Sequence, residues 1–308
     1  MADKTISQLT EATSILDADL FVLEQSSQAK KLTGATLKQN LVATYGGTCR
    51  NLLDNPWFTV NQRGVTTLPA NGYFVDRWMT YSAVGTVNAN GVSLSSGNIY
   101  QKLEPDLWTS LIGKPLTASL LLSGGTISSA SITNFSGNDV SFPGGVFSLT
   151  SATKAFNVYT DGTIRAVKLE IGTVATLAND VAPDYTTELL KCQRYFYRLS
   201  ASGRGNLGFC QIAATTQAIF FGIHLPAGLR VAVSTDDGFS ASSQDCIGAS
   251  IVTGASAIYC KAISVYDCWA GNTNVTLRVN FNSGQLTTSA AYALFLAGQS
   301  YLDFSADL

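Results

Sequence analysis

Aromatic rings and side-chain amides supply most of the chemistry this sequence can offer. The 308 residues include 4 tryptophans and 12 tyrosines but a single histidine, His224. Carbohydrate-binding surfaces stack aromatic faces on pyranose rings and add a few amide or carboxylate hydrogen bonds. Trp57, Trp78, Trp108 and Trp269 are the tryptophans available for this, although tryptophans in β-proteins more often fill cores or interfaces. One cluster combines both ingredients. Tyr259, Tyr266, Asp267, Trp269 and Asn272 end an alternating stretch and enter a Gly-Asn loop, where binding side chains concentrate. These five are the candidate glycan-binding residues. An intersubunit contact, or a loop packed on a sheet, would use the same residue types.

Catalysis finds little to work with. His224 sits in the apolar run Ile223-His224-Leu225-Pro226, and no Gly-x-Ser-x-Gly elbow is present. Asp236-Asp237 lies in a Gly-flanked turn, where turn formation is the default role. A glycosidase needs two carboxylates facing across a cleft, which spacing alone does not reveal. The Gly-Gly pairs beginning at 46, 124 and 144 lack the helix and lysine of a phosphate loop. The 6 cysteines contain no Cys-x-x-Cys pair, and with one imidazole no zinc site is expected. They are expected to be thiols, mostly small buried fillers. No enzyme activity, metal or cofactor is therefore expected.

A second constellation reads as structural. In Asn51-Leu52-Leu53-Asp54-Asn55-Pro56-Trp57-Phe58-Thr59-Val60-Asn61-Gln62-Arg63-Gly64, Asn51 and Asn55 suit turns through side-chain-to-backbone bonds. Phe58 and Val60 would face a core, with Gln62 and Arg63 following. Arg63 or Arg77 could pair with Asp76 or Asp54 in a buried ion pair that fixes strand positions, beside Trp78.

The elements that must position these residues are strands. Charged residues are 13% of the chain, against about 25% in ordinary domains. Such a surface suits flanks covered by other copies, or a stable β-protein with a neutral polar exterior. A net charge of −2 gives no footprint for nucleic acid. No apolar run is long enough for a membrane span, and Met1 to Thr5 opens no secretion signal, so assembly in a cytoplasm is expected.

Texture divides the chain in four. Residues 1–47 read as two short strands, around 19–25 and 30–33, closed by a short helix from Ala35 to Leu41, with a hinge at Tyr45 to Thr48. That segment is too small to bury a core alone. Residues 48–182 read as short strands of a β-sandwich or jelly roll, including Leu116 to Leu122 and Val146 to Leu149. Within it, Asp161-Gly162 predicts a two-residue hairpin between Phe156–Tyr159 and Ile164–Ile171. Residues 183–199 read as a linking helix capped by Asp184, with Tyr185, Leu189, Cys192, Phe196 and Leu199 on one face. Residues 200–308 return to strands. Val275, Leu277, Val279 and Phe281 alternate with polar residues, as do Leu302, Phe304, Ala306 and Leu308. No fixed-period repeat appears, so a β-helix is not expected.

Three motifs in order carry a resemblance. Ile6-Ser7-Gln8-Leu9-Thr10-Glu11-Ala12-Thr13, then Leu16 to Val22 and Lys30-Lys31-Leu32-Thr33, resembles the N-terminal attachment segment of tailed-bacteriophage tail-fibre proteins. Asn51 to Gly64, with Tyr73-Phe74-Val75-Asp76-Arg77-Trp78, resembles the first strands of a carbohydrate-binding-module-like jelly roll common in phage structural proteins. Lys168-Leu169-Glu170-Ile171-Gly172, then Tyr185 and Glu188 to Arg198, resembles the end of that module and the helix after it. The ending Tyr301 to Leu308 is similar to the closing strand of such chains. Related jelly rolls often carry calcium near the first strand, but Pro56-Trp57 stands where a Gly-Asp pair is usual, which argues against a carboxylate-ligated ion. The resemblance implies a mainly β virion protein: a homotrimeric fibre docked by residues 1–47 to tail, collar, baseplate or head, its C-terminal sandwich facing outward to host-surface glycan. Two alternatives stay open, an architectural fibre without receptor binding and a polysaccharide depolymerase.

Overall fold

The computed structural model describes residues 20–25, 28–34, 49–203, 205–234, 237–251, 257–269, 273–287 and 292–307. Among them the protein is mainly β, and every pairing between named strands is antiparallel. The segments 6–9, 35–41 and 45–48, together with Asp236, Asn272 and Leu308, lie outside the described residues.

β1 (Leu20–Gln25) and β2 (Gln28–Thr33) pair from Leu20↔Thr33 to Gln25↔Gln28. They form a sheet of two strands by themselves.

A curled nine-stranded sheet follows. Its strands are β3 (Asn71–Tyr73), β4 (Met79–Asn88), β5 (Gly91–Lys102), β6 (Leu116–Leu122), β7 (Ile127–Ile132), β8 (Val140–Ser141), β9 (Phe147–Thr150), β10 (Ala155–Val158) and β11 (Gly162–Ile171), with helix α1 (Pro105–Leu111) between β5 and β6. The sheet turns at β5. At Gly97, with φ +78°, an added Cβ would meet the Ser82 carbonyl oxygen at 2.4 Å, and the β4–β5 register slips nearby between Tyr81 and Val84. Only glycine permits that approach. The curl encloses one core built on Phe74, Trp78, Phe147, Phe156, Leu116 and Leu120, sealed by burial of apolar surface.

The Asp161-Gly162 hairpin does not form. Val158 pairs with Ile99, and Gly162 with Leu94, so β10 and β11 run on in one direction along the same edge of β5. The long edge of β5 offers ladder partners to both strands and overrides the local turn. Burial in β11 does not follow side-chain polarity. Lys168 and Glu170 are fully buried, while Ile171 is 40% exposed. Lys168 Nζ donates to Asp180 Oδ1 (2.7 Å) and Thr176 Oγ1 (2.8 Å), and Thr176 N donates to Glu170 Oε1 (2.8 Å), so the buried charges are paired and hydrogen-bonded.

Helix α2 (Tyr185–Gln193) starts where Asp184 Oδ1 accepts the Thr187 amide (2.9 Å), with Glu188 in the first turn. It is shorter than the linking helix read over 183–199. Residues Phe196–Ser200 are a strand, β12, laddered on β21 (Tyr301–Ser305) from Phe196↔Ser305 to Ser200↔Tyr301. Helical spacing of Phe196 and Leu199 is overruled by a partner strand about one hundred residues away.

β15 (Phe239–Ala241) completes a three-stranded sheet in the order β12-β21-β15. Seven further strands are β13 (Gly205–Ala214), β14 (Gln217–His224), β16 (Ile247–Ile251), β17 (Ile258–Tyr259), β18 (Ala262–Trp269), β19 (Asn274–Asn280) and β20 (Tyr292–Leu296), ordered β17-β16-β20-β13-β14-β19-β18. The edges of this sheet, β17 and β18, are consecutive in the chain. Cys260 N bonds Ile247 O (2.9 Å) on one edge and Lys261 N bonds Asn280 O (2.7 Å) on the other, so the sheet curls until its margins meet. Both sheets feed one core, in which Val275, Leu277, Val279 and Phe281 meet Leu302, Phe304 and Ala306. Here the period-two alternation in the sequence matches the buried face.

Candidate functional site

The described candidate glycan-binding residues fall on two strands, Tyr259 on β17 and Tyr266, Asp267 and Trp269 on β18. Tyr259, 48% exposed, lies on β17 and meets the Phe295 ring edge-on at 6.1 Å. Gly248 stands in the same row, and a Cβ there would strike the Phe295 ring at 2.1 Å, so glycine lets that ring lie across β16. Tyr266, 50% exposed, sits at a register shift between Val265 and Asp267 on β18. The Arg278 guanidinium lies 4.7 Å from its ring centre, a cation–π contact that holds the phenol on the sheet face. Asp267 Oδ1 accepts the Cys268 amide (2.8 Å). Trp269 closes β18 opposite Asn274. Of the other tryptophans, Trp78 and Trp108 are core residues, the latter edge-on to Phe135 at 5.0 Å, and Trp57 is half-buried.

The Asn51 to Gly64 motif is a hydrogen-bonding scaffold. Asn51 laces the segment to β11: its Nδ2 donates to Val167 O (2.9 Å), and its Oδ1 accepts from Leu53 N and Leu169 N. Asn55 is fully buried at φ +49°, a left-handed conformation that asparagine tolerates better than most residues. Its Nδ2 donates to Val60 O and Asp76 O, its Oδ1 accepts Val60 N, and its carbonyl accepts Trp78 Nε1. Its own amide donates to Glu188 Oε2 of α2 (2.8 Å). Every polar atom of Asn55 is thus engaged. Phe58 packs 5.1 Å from the Trp78 ring.

Arg63 joins the two cores. Its guanidinium lies between the rings of Phe196 (3.6 Å) and Tyr73 (4.7 Å), donating to Asp76 Oδ1 (3.2 Å) and Asp307 Oδ2 (2.5 Å). Gln62 donates through its amide to Asp76 Oδ2 (2.7 Å) and through Nε2 to the Phe196 carbonyl (2.7 Å). Arg198 forks onto Asp303 with two 2.7 Å bonds, and its Nη1 donates to the Arg63 carbonyl (2.8 Å). Beside this seam, Arg77 is 2% exposed at φ +73°, bonded to Asp54 Oδ2 (3.1 Å) and Lys102 O (2.9 Å), and stacked 3.6 Å over Tyr195.

Burial governs the electrostatics. It pushes Asp76 up to about 6, against the lowering pull of Arg63 and the Gln62 amide. Burial also raises Asp307, again opposed by Arg63. The cysteines are free thiols, and burial holds Cys210 up to about 11 and Cys260 up to about 12, which keeps both protonated and weakly nucleophilic near neutrality. Among the described residues no group of three or more His, Cys, Asp or Glu is placed to hold a metal ion. Two carboxylates sharing one guanidinium form a clamp, and the sequence pointed to only half of it. Asp307, Arg198, Asp303 and Glu188 were missed because their partners lie far away in the chain. The one local signal was a charged residue, Asp307, closing an apolar alternation.

No family model, curated protein or solved structure matches the chain.

Proposed function

We propose that the chain is a non-enzymatic virion structural protein of a tailed bacteriophage, a fibre-type appendage docked through residues 1–47. The observation that carries this is the β1–β2 hairpin. A solitary two-stranded sheet is marginal in water. This one pairs with no other described strand, next to a body whose two cores are already clamped together. Such a hairpin gains stability by docking on another protein. The curled sheet of residues 71–171 fits a jelly roll of the carbohydrate-binding-module type, and residues 200–308 fit an outward-facing sandwich. That sandwich would meet host-surface glycan, and the half-exposed Tyr259 and Tyr266 mark one of the positions open to such a contact. Assembly as a homotrimer would multiply weak contacts, so modest affinity per site suffices.

The test is incorporation. The full-length chain is expected in purified particles, and a chain lacking residues 1–48 is expected to fold and remain outside them. Equal incorporation of both overturns the anchoring role.

A further inference from the structure

Two clefts open along β15 and share Phe239 and Ser240. The larger, about 480 Å3, is lined by Arg63, Tyr73, Arg230, Asp303 and Asp307 among others. The smaller, about 290 Å3, adjoins it and reaches Gln244 and Ile263. Together they make a groove across the edge strand of the three-stranded sheet, between the two cores.

Three properties of the groove narrow its ligand. Asp307 presents an unmet acceptor: its side chain is 9% exposed, Oδ2 is bonded by Arg63 and Ser305, and Oδ1 is buried with no hydrogen-bond partner among the described residues. A buried carboxylate oxygen calls for a donor, and Asp307 is one of the residues that line the larger cleft. Charge is the second property. Asp237, Asp303 and Asp307 outnumber Arg63 and Arg230 among the lining residues, so the groove has no positive field to attract a phosphate or uronate chain. The third is the floor where the clefts join, the half-buried Phe239, braced 5.6 Å from Phe304. An apolar ring flanked by carboxylate, hydroxyl and amide groups suits the C–H face and hydroxyl edge of a pyranose.

We infer that this groove binds a neutral oligosaccharide, with Asp307 Oδ1 accepting from a sugar hydroxyl, Phe239 beneath one ring, and Ser240 and Gln244 on the next. The inference rests on the glycan-contact reading above and places the contact in the groove between the cores, away from Tyr259 and Tyr266.

A glycan array carrying neutral and acidic oligosaccharides, probed with the full-length chain, tests it. Ser240→Trp fills the groove from an exposed edge position, Gln244→Ala trims it without touching the core, and Tyr266→Ala is the comparison. Neutral oligosaccharides are expected to bind. Gln244→Ala and Ser240→Trp should each weaken binding by about tenfold or more, and Tyr266→Ala should leave it unchanged. Gln244→Ala decides if Ser240→Trp fails to fold. If both groove variants bind as the parent does while Tyr266→Ala loses binding, the groove is overturned and glycan contact stands. Acidic glycans as the only ligands overturn the groove as well. If no glycan binds, both fall.

Discussion

Arg63 and Asp307 stand 244 positions apart in the chain, yet their side chains meet at 2.5 Å. The contact joins a motif at the front of the first core to a residue just past the end of β21. Asp76 takes the other arm of the same guanidinium, and the rings of Phe196 and Tyr73 flank it. Removing Arg63 leaves two buried carboxylates without their cation. Arg63→Ala is therefore expected to lower stability by about 3 kcal/mol or more in urea unfolding followed by tryptophan fluorescence. Arg63→Lys should recover little, because an ammonium lacks the planar fork that reaches both carboxylates while stacking on a ring. A loss below about 1 kcal/mol would place the seam among ordinary surface pairs.

The pH dependence of stability has a defined sign at Asp76. Its folded-state value, about 6, lies above the ordinary 3.8. The folded chain thus holds a proton that the unfolded chain has already released. The resulting penalty is absent below about pH 4, grows as pH rises through about 6, and levels off at about 3 kcal/mol. Asp76→Asn removes that titration. Subtracting the parent's stability curve from the variant's cancels the carboxylates remote from Arg63, though not Asp307, which shares that guanidinium. The difference should favour the variant increasingly from about pH 4 to about 7. A flat difference contradicts the assigned shift.

Asn55 offers a test of backbone against side chain. Asn55→Gly keeps the positive φ but loses the bonds to Val60 and Asp76. Asn55→Ala loses those bonds and must also adopt a left-handed backbone, which adds about 1 kcal/mol. Both variants are expected to be destabilised by more than about 2 kcal/mol, alanine more than glycine, in thermal or urea melts. Alanine equal to or better than glycine would show that φ at this position is not constrained.

Strands were legible where burial is one-sided and partners matter little to the pattern. β19 and β21 carry their core residues at period two, and the sequence displays it directly. The helix was overextended for the opposite reason: Phe196 and Leu199 keep helical spacing, but β21 supplies a ladder that no local window contains. The Asp161-Gly162 turn failed because β5 is long enough to take both β10 and β11 on one edge. Lys168 and Glu170 are charged residues buried inside β11, and their partners Thr176 and Asp180 follow only after the strand has ended. In the candidate site, Arg63 and Asp76 stand close in sequence and were picked out together. Asp307 and Arg198 answer to geometry created only when the two cores meet.

The most direct test of the proposed role is to image purified virions carrying a gold-labelled antibody against residues 200–308. The label is expected on every particle, at the outer end of an appendage whose base holds the N-terminal segment. Particles bare of label, or label confined to the base of the appendage, would contradict it.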